Sequence, residues 1–329
     1  MQKLINDPNS FAADVVDAVL SLHSDRLKRV GDTLGVVRAV GAGDQVGVIT
    51  GGGSGHLPLF LGYVGEGLLT GAAVGDVFQS PSASQIADVA RQSGSTAGVL
   101  FLYGNYGGDV LNFQLAEELL GGDIPVRSYV VRDDVASSSS RESRRGIAGM
   151  CLLFKVAGAS AARGDSLDEV LANVERAATH LGTSGVALSP TILPSRGQPT
   201  FELPAGEMEV GMGIHGEPGS GRRPLAKADE VGSLLAGTVL EDDDVQGEYA
   251  LLVNGLGATP KEELYLLARA ACEEVARRGA NVWRSYVGEF ATSLEMGGAS
   301  VTLMAVDEGL KELMSAPASS PLLDLWGQR

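Results

Sequence analysis

Cysteine is scarce: the 329 residues hold two, Cys151 and Cys272, both in helix-like apolar runs. A disulfide scaffold is excluded, and two buried free thiols are expected. Aromatic residues make up 5%, too few for a surface that stacks nucleic-acid bases. Basic residues are outnumbered, 25 against 41 acidic, for a formal net charge of −16. That excess favours solubility and opposes unassisted binding to nucleic acid or to an anionic membrane. No apolar run reaches the ~18 residues of a membrane-spanning helix. The opening MQKLINDPNSF lacks the apolar stretch of a secretory signal, so a cytoplasmic location is expected. Histidine is limited to four residues: His23, His56, His180 and His215.

Glycine is plentiful, with 45 residues and no G-X-Y period. This is about twice the usual ~7% share, and it points to tight turns or to backbone held close to a ligand. At roughly 150 residues per domain the chain has room for two domains. Ser10 precedes an amphipathic run, 11–22, and reads as the N-cap of a first helix. Apolar strands are expected over 45–50, 97–103 and 126–131, the last ending in Asp133 and Asp134. Helix-like stretches, 84–93 and 109–120, alternate with them. Continuous apolar strands between helices predict a mostly parallel sheet with helices on both faces. Long helices follow over 146–163 and, from a Ser166/Glu169 capping box, to about His180. Near 182 Gly, Pro and Ser accumulate and the pattern breaks.

The expected class is therefore α/β, a two-domain subunit with a second, smaller α/β (α+β) domain. The N-terminal domain is placed at 1–182 and the second at 183–314. A tail, 315–329, packs back through Leu322, Leu323 and Trp326. Second-domain strands are expected near 186–190, 249–255, 280–288 and 300–306. Thr259, Pro260 and Glu262 read as a capping box for a helix to about Arg278, and Glu241–Asp244 as a solvated acidic turn.

His23 and His180 lie on helical patterns and read as helix residues. His56 and His215 differ, because glycines flank both. His56 closes Gly51-Gly52-Gly53-Ser54-Gly55-His56 directly after a strand, and His215 lies in GMGIHGEPG, 211–219. Such clusters either turn the chain or let backbone N–H groups meet the oxygens of a small ligand. No Lys follows the first cluster, so it is not a P-loop. Its glycine spacing is not that of the dinucleotide fingerprint. Neither histidine has a His or Cys partner at metal-ligand spacing, and no metal site is expected. Asp109 follows the 97–103 strand in Gly104-Asn105-Tyr106-Gly107-Gly108-Asp109. It is placed to serve as a general base or as the N-cap of the next helix.

Taken in order, GGGSGH, NYGGD followed by VLNF, and GMGIHGEPG followed by two arginines resemble the dihydroxyacetone kinase K-subunit (DhaK) family. So do KLIND at the start, RRGIAG (144–149), LLVNGLGATP (251–260) and TSLEM (292–296). The resemblance runs end to end. It implies a homodimer of two-domain α/β subunits with a ketose bound between the domains. It also implies that His215 holds the ketose covalently as a hemiaminal, which tethers the substrate and requires a carbonyl. Asp109 and His56 would form the acid–base pair. Gly53, Ser54, Gly104 and Asn105 would line the substrate.

One position departs from the pattern. The family's dihydroxyacetone enzymes usually carry Lys before the Asn of the NYGGD motif, where this chain has Gly104. That leaves room for a longer ketose such as erythrulose. The family's phosphoryl donor sits on a separate L domain, and nothing up to Arg329 resembles one. The resemblance therefore implies a nucleotide-binding L subunit carrying Mg-ATP or a rephosphorylated ADP, with no cofactor on this chain. The alternative is a ketose-binding co-activator without kinase activity. Retention of His56, Asp109 and His215 together favours the enzyme.

Overall fold

The computed structural model describes residues 3–242 and 247–323. Two units interleave along the chain: one holds the chain up to Val130, Leu152–Arg176 and the chain from Leu310 onward, and the other holds Val131–Cys151 and Ala177–Gly309. A single cut near 182 and this division agree that 183–309 form the second unit. They differ at 131–151 and 177–182, which belong with the second unit, and at 310–314, which belong with the first.

The first unit opens with helix α1 (Phe11–Leu22), then β1 (Leu27–Arg29), β2 (Gly35–Arg38), β3 (Gly47–Ser54) and β4 (Gly71–Val77). After them come α2 (Ala83–Gln92), β5 (Val99–Gly104), α3 (Gly107–Leu120) and β6 (Val126–Val131). The six strands make one sheet in the order β1-β2-β4-β3-β5-β6. β3 is parallel to both β4 and β5, while β2 runs antiparallel to β1 and β4. β5 is buried at every residue, which is why it reads as an unbroken apolar run. Tyr103 stacks on Phe113 of α3, ring centroids 4.0 Å apart and 6° from parallel. Ser82 caps α2 by accepting the Gln85 N–H. Ser10 occupies the cap position of α1, but its hydroxyl donates to the Asp7 carbonyl and no side-chain cap forms.

Helix α4 (Gly149–Arg163) is buried along almost its whole length, Lys155 included. The Lys155 ammonium donates to the Leu313 carbonyl at 2.6 Å. In the first unit α4 passes Leu68 so closely that a Cβ on Gly158 would overlap Leu68 backbone atoms. α5 (Leu167–Thr179) starts at the expected capping box: Glu169 accepts the Ser166 N–H at 2.8 Å, and Ser166 Oγ accepts the Glu169 N–H at 3.4 Å. The segment after residue 315 is tied to the first unit by Ser319 N–H to the Glu66 carbonyl and Ser320 Oγ to the Gly62 carbonyl. Leu323 is buried and Leu322 exposed; Trp326 lies outside the described residues.

The second unit contains β7 (Leu181–Ser189), β8 (Glu207–Val210), β9 (Gly221–Pro224), α6 (Ala228–Asp242) and β10 (Glu248–Gly255). It continues with α7 (Lys261–Arg277), β11 (Asn281–Gly288) and β12 (Gly297–Ala305), and α8 (Glu308–Ser315) begins at its edge. Its sheet order is β11-β10-β12-β7-β8-β9. Only β10 and β11 pair in parallel; the other pairings are antiparallel. The second sheet is thus of α+β character, with Leu251, Val253, Val301 and Leu303 packed against α6 and α7.

Two local expectations fail for the same reason, that a polar side chain found a tertiary partner. Thr259 does not cap α7, because its hydroxyl donates to the Gly298 carbonyl and accepts the Gly298 N–H. The 241–244 turn is not simply solvated. Glu241 and Asp242 end α6, and Asp242 takes a bidentate pair from Arg144 at 2.7 and 2.5 Å. Asp243 and Asp244 lie outside the described residues. Both cysteines are free, but Cys272 is only half-buried.

The α4 crossing is testable. Gly158→Ala should lower stability by about 1–3 kcal/mol, the usual cost of overpacking. A urea titration reads it as a lower midpoint with an unchanged slope.

Candidate functional site

In the first unit, β3 and β5 are parallel neighbours, so the segments leaving their C-terminal ends share one edge of the sheet. Open α/β sheets bind ligands at that edge. β3 leads into Gly55 and His56; β5 leads through Gly104, Asn105 and Tyr106 into α3 and Asp109. His56 is 1% exposed. Its ring stacks on Phe78 at 4.9 Å and 15°, and Phe60 meets its edge at 6.2 Å. Phe60 and Phe78 have φ of 65° and 58°, a conformation that costs a bulky residue of order 1–3 kcal/mol and that collects at functional sites.

The glycines before His56 form a strand end and not a loop. Gly51, Gly52 and Gly53 lie in β3 and pair with Ala73, Val74 and Gly75 of β4. They are glycine because neighbours press on them. A Cβ on Gly52 would overlap the Phe60 ring, and one on Gly53 would lie 2.7 Å from the Gln79 nitrogen. Ser54 closes the strand and donates its hydroxyl to the Gly75 carbonyl at 2.8 Å. Gly104 is the buried last residue of β5 and Asn105 is half-buried. Asp109 is not the N-cap of α3. It is the third residue of the helix and 6% exposed, and the cap position is Tyr106. Its carboxylate therefore sits in the first turn, where the helix dipole favours negative charge.

In the second unit, His215 lies in the turn between β8 and β9. Its Nδ1 is 2.9 Å from Glu217 Oε1, and its backbone N–H donates to Glu217 Oε2 at 3.0 Å. The Gly213 N–H donates to the Glu217 carbonyl at 3.1 Å. The turn is this tight only because residue 213 is glycine: a Cβ there would overlap Glu217 Oε2. Burial raises the Glu217 carboxyl, but the His215 hydrogen bond, the His215 charge and nearby backbone N–H groups outweigh it and bring the pKa down to about 2. Above that pH Glu217 is ionised and can only accept. In the neutral ring Nδ1 then carries the proton, and the electron pair lies on Nε2.

The turn is clamped from below. Ser293 Oγ donates to the Ile214 carbonyl at 2.5 Å, which accounts for the serine of TSLEM. Glu295 of the same motif accepts the Ile192 N–H and the Thr191 hydroxyl. Asn254 of LLVNGLGATP accepts the N–H groups of Phe290 and Ala291 and donates to the Ala291 carbonyl. Of these three side chains, Ser293 supports the His215 turn directly, and Glu295 and Asn254 fix neighbouring segments of the same unit. Sequence reasoning gave no role to Glu217; its place two residues after His215, among glycines, was the available signal.

The sequence pattern of the Dak1 domain matches residues 17–322. The chain belongs to the Dak1 family. It is 40% identical over 331 residues to an L-erythrulose kinase of Pectobacterium atrosepticum, covering 98% of this chain and 56% of that protein. It is 37% identical to the dihydroxyacetone-binding subunit DhaK of the PEP-dependent dihydroxyacetone kinase of Escherichia coli K12, covering the whole of both. Among solved structures, the dihydroxyacetone kinase of C. freundii superposes with a TM-score of 0.89 at 32% identity, over 97% of this chain and 59% of that one. A dihydroxyacetone kinase operon co-activator, Dha-DhaQ, gives 0.86 at 30% identity, over 93% and 96%. The chain thus spans little more than half of the L-erythrulose kinase and of the C. freundii enzyme, and the full length of the E. coli subunit. No helix among the described residues is long and apolar enough to cross a membrane.

The depressed Glu217 carboxyl has a pH signature. A carboxylate whose folded pKa lies below its ordinary value stabilises the fold above the ordinary range, and this is lost as pH falls through the folded value. Glu217→Gln removes the titration. The stability gap between wild type and Glu217→Gln should be full at neutral pH and should close as pH drops toward about 2. Urea midpoints at a series of pH values measure it, and a gap that ignores pH would contradict a lowered Glu217 pKa.

Proposed function

We propose that the chain is the ketose-binding subunit of a two-component kinase. It holds a short-chain ketose as a hemiaminal on His215 and presents a terminal hydroxyl for phosphoryl transfer from a nucleotide-bearing L subunit. The observation that carries this reading is the His215–Glu217 pair, which leaves Nε2 with an available electron pair. The Nε2 pair forms the bond to the ketone carbon. The carbonyl π pair moves to oxygen, which takes a proton from His56 acting as the acid, and the positive charge left on the ring faces Glu217. Asp109 accepts the proton of the attacking hydroxyl, with His56 as its acid–base partner; Gly53, Ser54, Gly104 and Asn105 line the substrate. Mg-ATP or a phosphorylated ADP belongs to the L subunit, where magnesium offsets the phosphoryl charge. We place the protein in the cytoplasm as a homodimer.

The similarity to Dha-DhaQ supports a second reading, a ketose-binding co-activator. It needs the covalent histidine but not a general base. Turnover of a ketose by the chain together with an L subunit separates the two.

The substrate is proposed to be larger than a triose. A Lys in place of Gly104 would add a charged hydrogen bond of about 1.5–3 kcal/mol, and this chain lacks it. A four-carbon ketose brings a further hydroxyl to the same end of β5. A kcat/KM higher by about tenfold on erythrulose than on dihydroxyacetone is expected, one hydrogen bond's worth. Gly104→Lys should reverse the preference, and equal activity on both sugars would return the assignment to the triose.

The covalent step is tested by soaking a ketose into crystals, where density should run continuously from Nε2 to the carbonyl carbon. Glycerol, with no carbonyl, should give none. A ketose that is turned over but sits unbonded to His215 would overturn the hemiaminal. Asp109→Asn should cut kcat by about 10²–10⁴, the usual size of a general-base contribution, with the adduct retained.

A further inference from the structure

The RRGIAG segment, 144–149, takes no part in the chemistry above, yet its two arginines point to different tasks. Arg144 is fastened to Asp242 and donates through Nε to the Ser138 carbonyl. That is a local structural tie. Arg145 turns instead to the His215 loop. Its Nε donates to Asp134 Oδ2 at 2.9 Å, and its NH2 donates to the Gly211 carbonyl at 2.8 Å. Its NH1 stands 3.9 Å from Glu217 Oε2. One planar guanidinium therefore meets both ends of the loop that carries His215, the carbonyl before it and the carboxylate after it.

We infer that Arg145 is a positioning residue for His215, acting through Glu217, with Asp134 as the group that holds Arg145 in place. This rests on the reading of His215 as the adduct-forming nucleophile. A fixed fork suits the task where an ammonium would not, because three acceptors in different directions are met by one rigid plane.

The surroundings are arranged to keep that plane in position. The Asp134 side chain is 1% exposed and that of Arg145 14%, so neither has water as an easy substitute. Asp134 also accepts the Ala136 N–H, which fixes the carboxylate on its own segment. Beside it Asp133 accepts the N–H groups of Ile147 and Gly149 at 2.7 Å each, so the RRGIAG backbone wraps around one buried carboxylate while Arg145 reaches the next. Burial drives the Asp134 pKa up to about 6; Arg145 opposes this and the neighbouring Asp133 adds to it. Burial also raises Asp133, against the hydrogen bonds of Thr183 and the two N–H groups. The charged groups facing Arg145 are thus Asp134, Asp133 behind it, and Glu217, which faces His215. The far end of the loop has its own anchor: Glu209 accepts the Gly219 N–H at 3.0 Å and the Arg222 Nε–H at 3.1 Å. Gly213 completes the fit, since a Cβ there would lie 2.5 Å from Arg145 NH1. The glycine admits the guanidinium to the loop.

The test uses the full chain with histidine labelled in the ring by ¹⁵N and erythrulose labelled at its carbonyl by ¹³C. NMR then reads two things, the Nδ1–H against Nε2–H tautomer of His215 and the fraction of ketose carbon bound. Wild type should show the Nδ1–H form and a bound carbon. Arg145→Met should mix the tautomers and weaken adduct formation by about tenfold or more, the loss of one charged contact. Arg145→Lys should recover part of both, and Asp134→Asn should fall between Lys and wild type. Arg144→Met is the structural comparison: it should lower stability without moving the His215 tautomer. If Arg145→Met does not fold, Arg145→Lys and Asp134→Asn decide. A wild type with no bound carbon would overturn the reading of His215 itself. A wild type with an adduct, beside Arg145 and Asp134 variants whose tautomer and adduct match it, would overturn the positioning role alone.

Discussion

Backbone brought within reach of its neighbours, with no Cβ between them, is the constraint on which most of this structure depends. Gly158 lets α4 lie against the backbone at Leu68, and Gly52 admits the Phe60 ring that meets His56. Gly213 admits a carboxylate and a guanidinium into one turn. The glycine excess in the sequence thus serves close packing as much as turning. A methyl group at any of these positions has no void to enter, because protein interiors are packed like crystals. The aromatic side chains so admitted then do what a richer set of ionic contacts does in the second unit, and fix an imidazole by stacking.

Electrostatics divide differently between the two units. The His56 ring meets the rings of Phe60 and Phe78, and Asp109 sits in the first turn of α3, at the positive end of its dipole. Around His215 the contacts are carboxylate, guanidinium and backbone. An aromatic wall lowers the local dielectric and so favours the neutral form of an imidazole. A carboxylate on Nδ1 instead selects one tautomer and supports positive charge at one moment. The two histidines therefore sit in unlike settings, His56 among aromatic rings and His215 beside a carboxylate.

The elements that were legible in the sequence are those whose own residues specify them. The 126–131 strand and the 11–22 helix fall where their patterns put them, and the Ser166/Glu169 box forms because both partners lie on the same turn. His56, Asp109 and His215 could be singled out because glycines or a strand end frame each one. What escaped notice depends on distant partners. Thr259 left its cap for Gly298, and the GGGS run became strand because β4 lies alongside. β8 alternates polar and apolar over only four residues, too short a run to announce itself, and β9 is exposed at every residue. Glu217 and Arg145 matter through geometry that sequence spacing does not encode, since 72 positions separate Arg145 from the carboxylate it faces.

The interleaving of the two units carries a consequence for how such a protein is inherited and handled. The chain passes between them after Val130, Cys151, Arg176 and Gly309. No single cut in the gene frees either unit whole, so neither can be acquired, lost or exchanged as a cassette. A nick at any one crossing leaves both units threaded by the remaining passes. His56 and Asp109 in one unit and His215 in the other are thereby held to one polypeptide and must evolve together.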